Sequence, residues 1–108
     1  MSLAADTRLF VASGHADMRK GFDGLCGLVT SILEMDSLSG QLFLFINRRR
    51  DKMKILYWDG DGLAIWYRRL EQGTFQFPKT EENQASVEIR SEELMMFLRG
   101  IDYSNVKR

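Results

Sequence analysis

The stretch QLFLFINRRRDKMKILYWDGDGLAIWYRRLEQG, Gln41 to Gly73, decides the fold. Gln41–Asn47 holds an apolar run with no alternation, so it reads as a strand covered on both faces. Met53–Trp58 is rich in β-formers and reads as a second strand. Asp59-Gly60-Asp61-Gly62 joins it to a third, Leu63–Arg69, by a tight hairpin, because Gly and Asp tolerate positive φ. Glu71-Gln72-Gly73 turns the chain again, and Thr74–Phe77 follows as a further strand that Pro78 ends. The expected unit is an antiparallel meander.

Outward from this unit, Arg8–Ala12 reads as a short strand stopped by Ser13-Gly14. Phe22, Leu25, Cys26, Val29, Ile32 and Leu33 recur in steps of three and four, which predicts a helix from about Met18 to Glu34 with Asp17 as its N-cap. Gly21, Gly24 and Gly27 lie inside that helix, each costing about 1 kcal/mol relative to alanine. A close approach of the helix backbone to a sheet or a partner is the simplest compensation. Ser37–Gly40 is a turn, Lys79–Gln84 a surface loop and Ser86–Arg90 a last strand. A second helix is expected over Glu92–Arg99, capped by Ser91 and stopped by Gly100, with Leu94, Phe97, Leu98 and Ile101 buried. The predicted class is α+β: an antiparallel β-meander of about four to six strands with two helices. It forms a single domain, 1–108, with its core at 7–103 between polar tails.

Fifteen Lys and Arg balance fifteen Asp and Glu, so the total charge of +0 points to neither nucleic acid nor membrane. A lone Cys26 makes no internal disulfide. The N-terminus has no signal-like pattern, and Leu42–Ile46 is far short of the roughly 20 residues of a membrane helix. A cytoplasmic protein without membrane contact is expected.

The meander nevertheless segregates charge. Alternate hairpins share an end of an antiparallel sheet. Arg48, Arg49, Arg50, Lys52 and Lys54 should therefore lie with Arg68 and Arg69, and Asp59 with Asp61 at the opposite end. Phosphate binding follows local potential rather than totals. Such an end can contact nucleic acid, or it can be a solvated tip that keeps a sheet edge from aggregating. Arg19 and Lys20 fall in the expected first turn of the first helix. They make an anion site there unless Asp17 and Asp23 neutralise them.

No chemistry-bearing constellation emerges. His15 and Cys26 are too few for a zinc site, and Cys26 lies on an apolar stripe. The helix glycines fit neither dinucleotide nor P-loop spacing. Leu63 stands where a calcium loop would need an oxygen ligand. Nothing in the spacing of Asp17, Asp23, Asp59 and Asp61 gathers them for two-metal chemistry. Tyr57, Trp58, Trp66 and Tyr67 are more readily core than base-stacking groups. Met53, Met95 and Met96 are gap-fillers. Neither a cofactor nor an enzymatic activity is expected.

DMRKGFDGL (Asp17–Leu25), RRRDKMKILYWDG (Arg48–Gly60), RLEQGTF (Arg69–Phe75) and LRGID (Leu98–Asp102) follow one another along the chain. Together they resemble the accessory proteins encoded by the second open reading frame of insertion-sequence family 66. The resemblance spans about Arg8 to Tyr103, and departs at Phe77, where the family has Trp. It implies a role in transposition beside a separate transposase, and it supplies no catalytic residues. It favours a functional surface at Arg19, Lys20 and Arg48–Lys54. Two partners stand open: duplex DNA, met through its phosphates, or the transposase or another element-encoded protein. The latter would be held through the glycine-striped helix or an open sheet edge.

Overall fold

Leu42–Ile46 is the central strand of the protein, buried at every position because both faces of the sheet are covered. The structure, a computed structural model, describes residues 6–76 and 83–98. Its elements are β1 (Leu9–Ala12), α1 (Phe22–Ser31), β2 (Leu42–Ile46), β3 (Lys52–Trp58), β4 (Leu63–Arg69), β5 (Ser86–Ile89) and α2 (Ser91–Phe97). They build one five-stranded sheet in the order β4-β3-β2-β1-β5. β2, β3 and β4 form the expected antiparallel meander.

Beyond the meander the sheet is mixed. β1 pairs with β2 in parallel, Leu9 opposite Leu42, while β5 runs antiparallel to β1. The connection through α1 explains this. Parallel neighbours need a crossover long enough to return the chain to the starting end, and a helix supplies it. The expected strand at Thr74–Phe77 is absent over Thr74–Gln76, and Phe77 lies outside the described residues. Phe75 instead plugs the core. Its ring is fully buried, and its N–H donates to the Arg50 carbonyl at 2.7 Å.

Alternation along the strands divides the core into two layers. Leu42, Leu44 and Ile46 face Leu9, Val11, Met53 and Ile55 beneath Phe75 and the α2 residues Leu94 and Phe97. Phe43 and Phe45 face the other way, with Phe10 and Leu56 beneath Leu25 and Val29 of α1. Phe10 and Phe43 stack with ring centroids 6.1 Å apart. Each fully buried side chain of this size contributes about 1.5–3 kcal/mol, so the doubly covered β2 anchors the domain.

α1 is shorter than its apolar periodicity suggests. It starts at Phe22 rather than Met18, and Gly21 is an N-cap with no side-chain cap. Asp17 does not cap the helix. Its carboxylate closes a turn by accepting the Arg19 N–H at 2.8 Å. The carbonyls of Met18 and Lys20 are held instead by the Lys54 ammonium, both at 2.7 Å, which keeps this segment out of the helix.

The glycines also differ from expectation. Among the described residues, a Cβ at Gly21 or Gly27 would meet nothing within 4 Å, and one at Gly24 would meet the Lys20 side chain at 3.0 Å. Among the described residues, no strand comes within 4 Å of a Cβ built on this stripe. α2 begins at Ser91, so Ser91 is its first residue rather than its cap, and the Glu93 carboxylate accepts the Arg90 N–H at 3.1 Å. Arg99, Gly100 and Ile101 fall outside the described residues.

Candidate nucleic-acid interface

The β3–β4 register sets Lys52 opposite Arg69 and Met53 opposite Arg68. Trp58 pairs with Leu63 at the other end, where the Asp59 N–H donates to the Gly62 carbonyl across the turn carrying Asp59 and Asp61. The two basic segments thus share one end of the sheet, away from that acidic turn. Arg48–Arg50 form the β2–β3 hairpin. Asn47 organises this turn: its Oδ1 accepts the N–H groups of Asp51 and Lys52 at 3.1 and 2.9 Å, and its Nδ2 donates to Asp51 at 2.7 Å. Arg50 reverses the chain at φ 63°, an unusual conformation for a long side chain.

The parallel pairing of β1 with β2 brings a third segment to this end. Both strands finish there, so residues 13–21 lie beside the arginine hairpin. The Ala16 N–H donates to the Ile46 carbonyl at 2.8 Å, and the His15 imidazole Nε2 sits 3.3 Å from the Arg48 guanidinium. Arg19 and Lys20 therefore join the cluster, but from a loop ahead of α1 rather than from its first turn.

These cations are not equivalent. Lys54 is only 9% exposed and its amine is engaged by two carbonyls, with the Tyr67 ring 4.8 Å away. It fastens the 13–21 loop to β3. Arg50 donates its Nε to the Phe75 carbonyl at 3.1 Å and so fastens the Phe75 plug. Arg19 pairs with Asp17 at 2.8 Å and Arg69 with Glu71 at 2.9 Å, both on the surface. The Arg19 hydrogen bonds lower the Asp17 carboxyl to about 2. Lys20, Arg48, Arg49, Lys52 and Arg68 form no ion pair among the described residues. Strand alternation places Lys52 and Arg69 on the α1 side of the sheet and Arg68 on the α2 side, so positive charge wraps both sides of this end.

Other sequence candidates resolve into packing. Cys26 is half-buried against the α1-side layer, Met53 is core, and Tyr57 and Trp66 pack against the α2-side layer. Tyr67 is the exception at 51% exposed, at the basic end, and Met95 is also exposed. Among the described residues, no group of three His, Cys, Asp or Glu side chains could hold a metal, and no helix is long and apolar enough to cross a membrane.

The architecture is that of a small α+β domain whose zero total charge conceals a cation-rich end. The family described as "IS66 Orf2 like protein" matches residues 7–108, and the chain belongs to it. The family is one of insertion-sequence accessory proteins. Two proteins of Sinorhizobium fredii are similar over most of their length. "Uncharacterized protein y4jC" is 36% identical over 101 residues, covering 94% of this chain and 85% of that protein. "Uncharacterized protein y4hO" is 35% identical over 98 residues, covering 91% and 84%. No solved structure matches significantly.

Proposed function

We propose that this protein is a non-catalytic accessory factor of transposition, acting in the cytoplasm beside a separate transposase and gripping duplex DNA by its phosphates. One observation carries the reading. Lys20, Arg48, Arg49, Lys52 and Arg68 come from three segments of the chain and gather at one end without ion-pair partners among the described residues. Asp51 lies near enough to Arg49 and Lys52 to feel their charge, yet cations outnumber carboxylates at this end, and such a local potential is one that a polyanion can use, whatever the total charge. The surface ion pairs of Arg19 and Arg69 can open to add contacts, whereas Lys54 is excluded because its amine is already held inside.

Salt dependence of binding to labelled duplex DNA tests this reading. If about four cations release counterions, log affinity falls against log salt with a slope near −3.6. Replacing Arg48, Arg49 and Arg68 together with glutamine should flatten the slope by about two to three, with stability changed by no more than about 0.5 kcal/mol. Asp59→Asn with Asp61→Asn, at the far end, is the control. Unchanged binding by the triple variant, or no binding by the parent at low salt, would refute the reading. An adaptor for the transposase or another element-encoded protein would then lead.

A further inference from the structure

We propose that β4 is a self-pairing edge: two copies of this chain join β4 to β4, antiparallel, about a two-fold axis at Ile65. This inference does not depend on the DNA reading. β4 is the last strand on its side of the sheet, and among the described residues no strand pairs with its outer side. At seven residues it is also longer than β5, the four-residue strand at the other edge.

The hydrogen bonds of the sheet fix which peptide groups of β4 are unused. The Gly62 carbonyl accepts from Asp59, and the Leu70 N–H donates to Asp51 at 2.7 Å. In an antiparallel ladder the direction alternates, so residues 62, 64, 66, 68 and 70 address β3. Leu63, Ile65, Tyr67 and Arg69 therefore turn their N–H and C=O groups outward. Soluble proteins usually blunt such an edge with proline, a bulge or charges along the strand. Leu63–Arg69 has no proline, pairs continuously with β3, and carries charge only at its last two positions.

The side chains select the register. With the axis at Ile65, Tyr67 faces Leu63 of the second copy, Trp66 faces Ala64, Arg68 faces Gly62 and Arg69 faces Asp61. Tyr67–Leu63 is an aromatic–aliphatic pair, Trp66–Ala64 and Arg68–Gly62 set large against small, Arg69–Asp61 sets cation against anion, and the two-fold axis makes each occur twice. Moving the axis to Trp66 would instead set Trp66 against itself and Arg69 against Leu63, which leaves the guanidinium without an anion opposite. Arg69 holds Glu71 only through a solvent-exposed ion pair, which contributes little, so it can exchange that partner for Asp61.

Sedimentation equilibrium of the full chain without DNA, from roughly micromolar to millimolar concentration, tests the proposal. The parent should form a dimer that dissociates on dilution. Tyr67→Pro should be monomeric with an intact fold, since the N–H it removes points outward. Arg69→Asp and Asp61→Arg should each weaken self-association about tenfold by setting like charges together. An equal mixture of those two variants should associate as well as the parent, because both cross-strand pairs are then opposite in sign. A parent that stays monomeric, a Tyr67→Pro variant that dimerises like the parent, or a mixture no tighter than its components would overturn it.

Discussion

Lys54→Met separates a structural lysine from a phosphate-binding one. The substitution keeps the length of the stem and removes the ammonium. In the folded protein that group donates to the Met18 and Lys20 carbonyls, both at 2.7 Å, from a side chain only 9% exposed. Hydrogen bonds from a charged group contribute about 1.5–3 kcal/mol each, which bounds the loss at roughly 3–6 kcal/mol. Relief from burying a charge offsets part of that. A net destabilisation of about 2–4 kcal/mol remains, or roughly 8–16 °C in melting temperature at about 4 °C per kcal/mol. Thermal unfolding followed by circular dichroism measures it. Hydrogen exchange should show the amides of residues 13–21 losing protection before the sheet does. A melting temperature within about 1 °C of the parent would refute the assignment and return Lys54 to the surface cations.

Gly27→Ala should stabilise the protein by about 1 kcal/mol, raising the melting temperature by roughly 4 °C, because the helix gains a better former and the added Cβ meets no described atom. A fall in melting temperature would reveal a close contact at the stripe. The Asp17 carboxyl, held to about 2 by the Arg19 side chain and backbone N–H, should titrate higher in Arg19→Gln, moving toward the ordinary 3.8. Because the folded value is depressed, its contribution to stability is complete above about 3.8 and is lost as pH falls through about 2. Carboxyl NMR titration reads the shift, and an unmoved midpoint would show that Arg19 does not hold Asp17.

The meander was legible because its signals are local. Asp59-Gly60-Asp61-Gly62 can only be a tight turn, and β4 begins and ends where its residue types change, at Leu63 and Arg69. The gathering of Arg48–Lys52 with Arg68 and Arg69 followed from the alternation of hairpins. Phe75 reads as a strand residue in the sequence because an aromatic beside Thr and Gln suits a strand as well as a plug. Its role depends on a hydrogen bond to Arg50, far along the chain. The open surroundings of the helix glycines are not legible in the sequence, because helix spacing alone does not reveal whether anything lies above the stripe.

What the sequence determined by itself was the α+β class, most of the strands and the existence of a basic end. Periodicity, turn chemistry and hairpin alternation act over a few residues, so they survive in any one-dimensional reading. The tertiary structure decided what lies beyond that range. The direction of β1 beside β2 is invisible locally, since a doubly buried strand has the same composition in either orientation. That direction carries the His15–Lys20 loop to the basic end. Lys54 became an internal clasp through carbonyls 34 and 36 residues away, whereas Arg49, five positions earlier, stayed on the surface. Residue type writes the same positive charge at both sites, and only the surrounding fold determines whether that charge faces carbonyls or water.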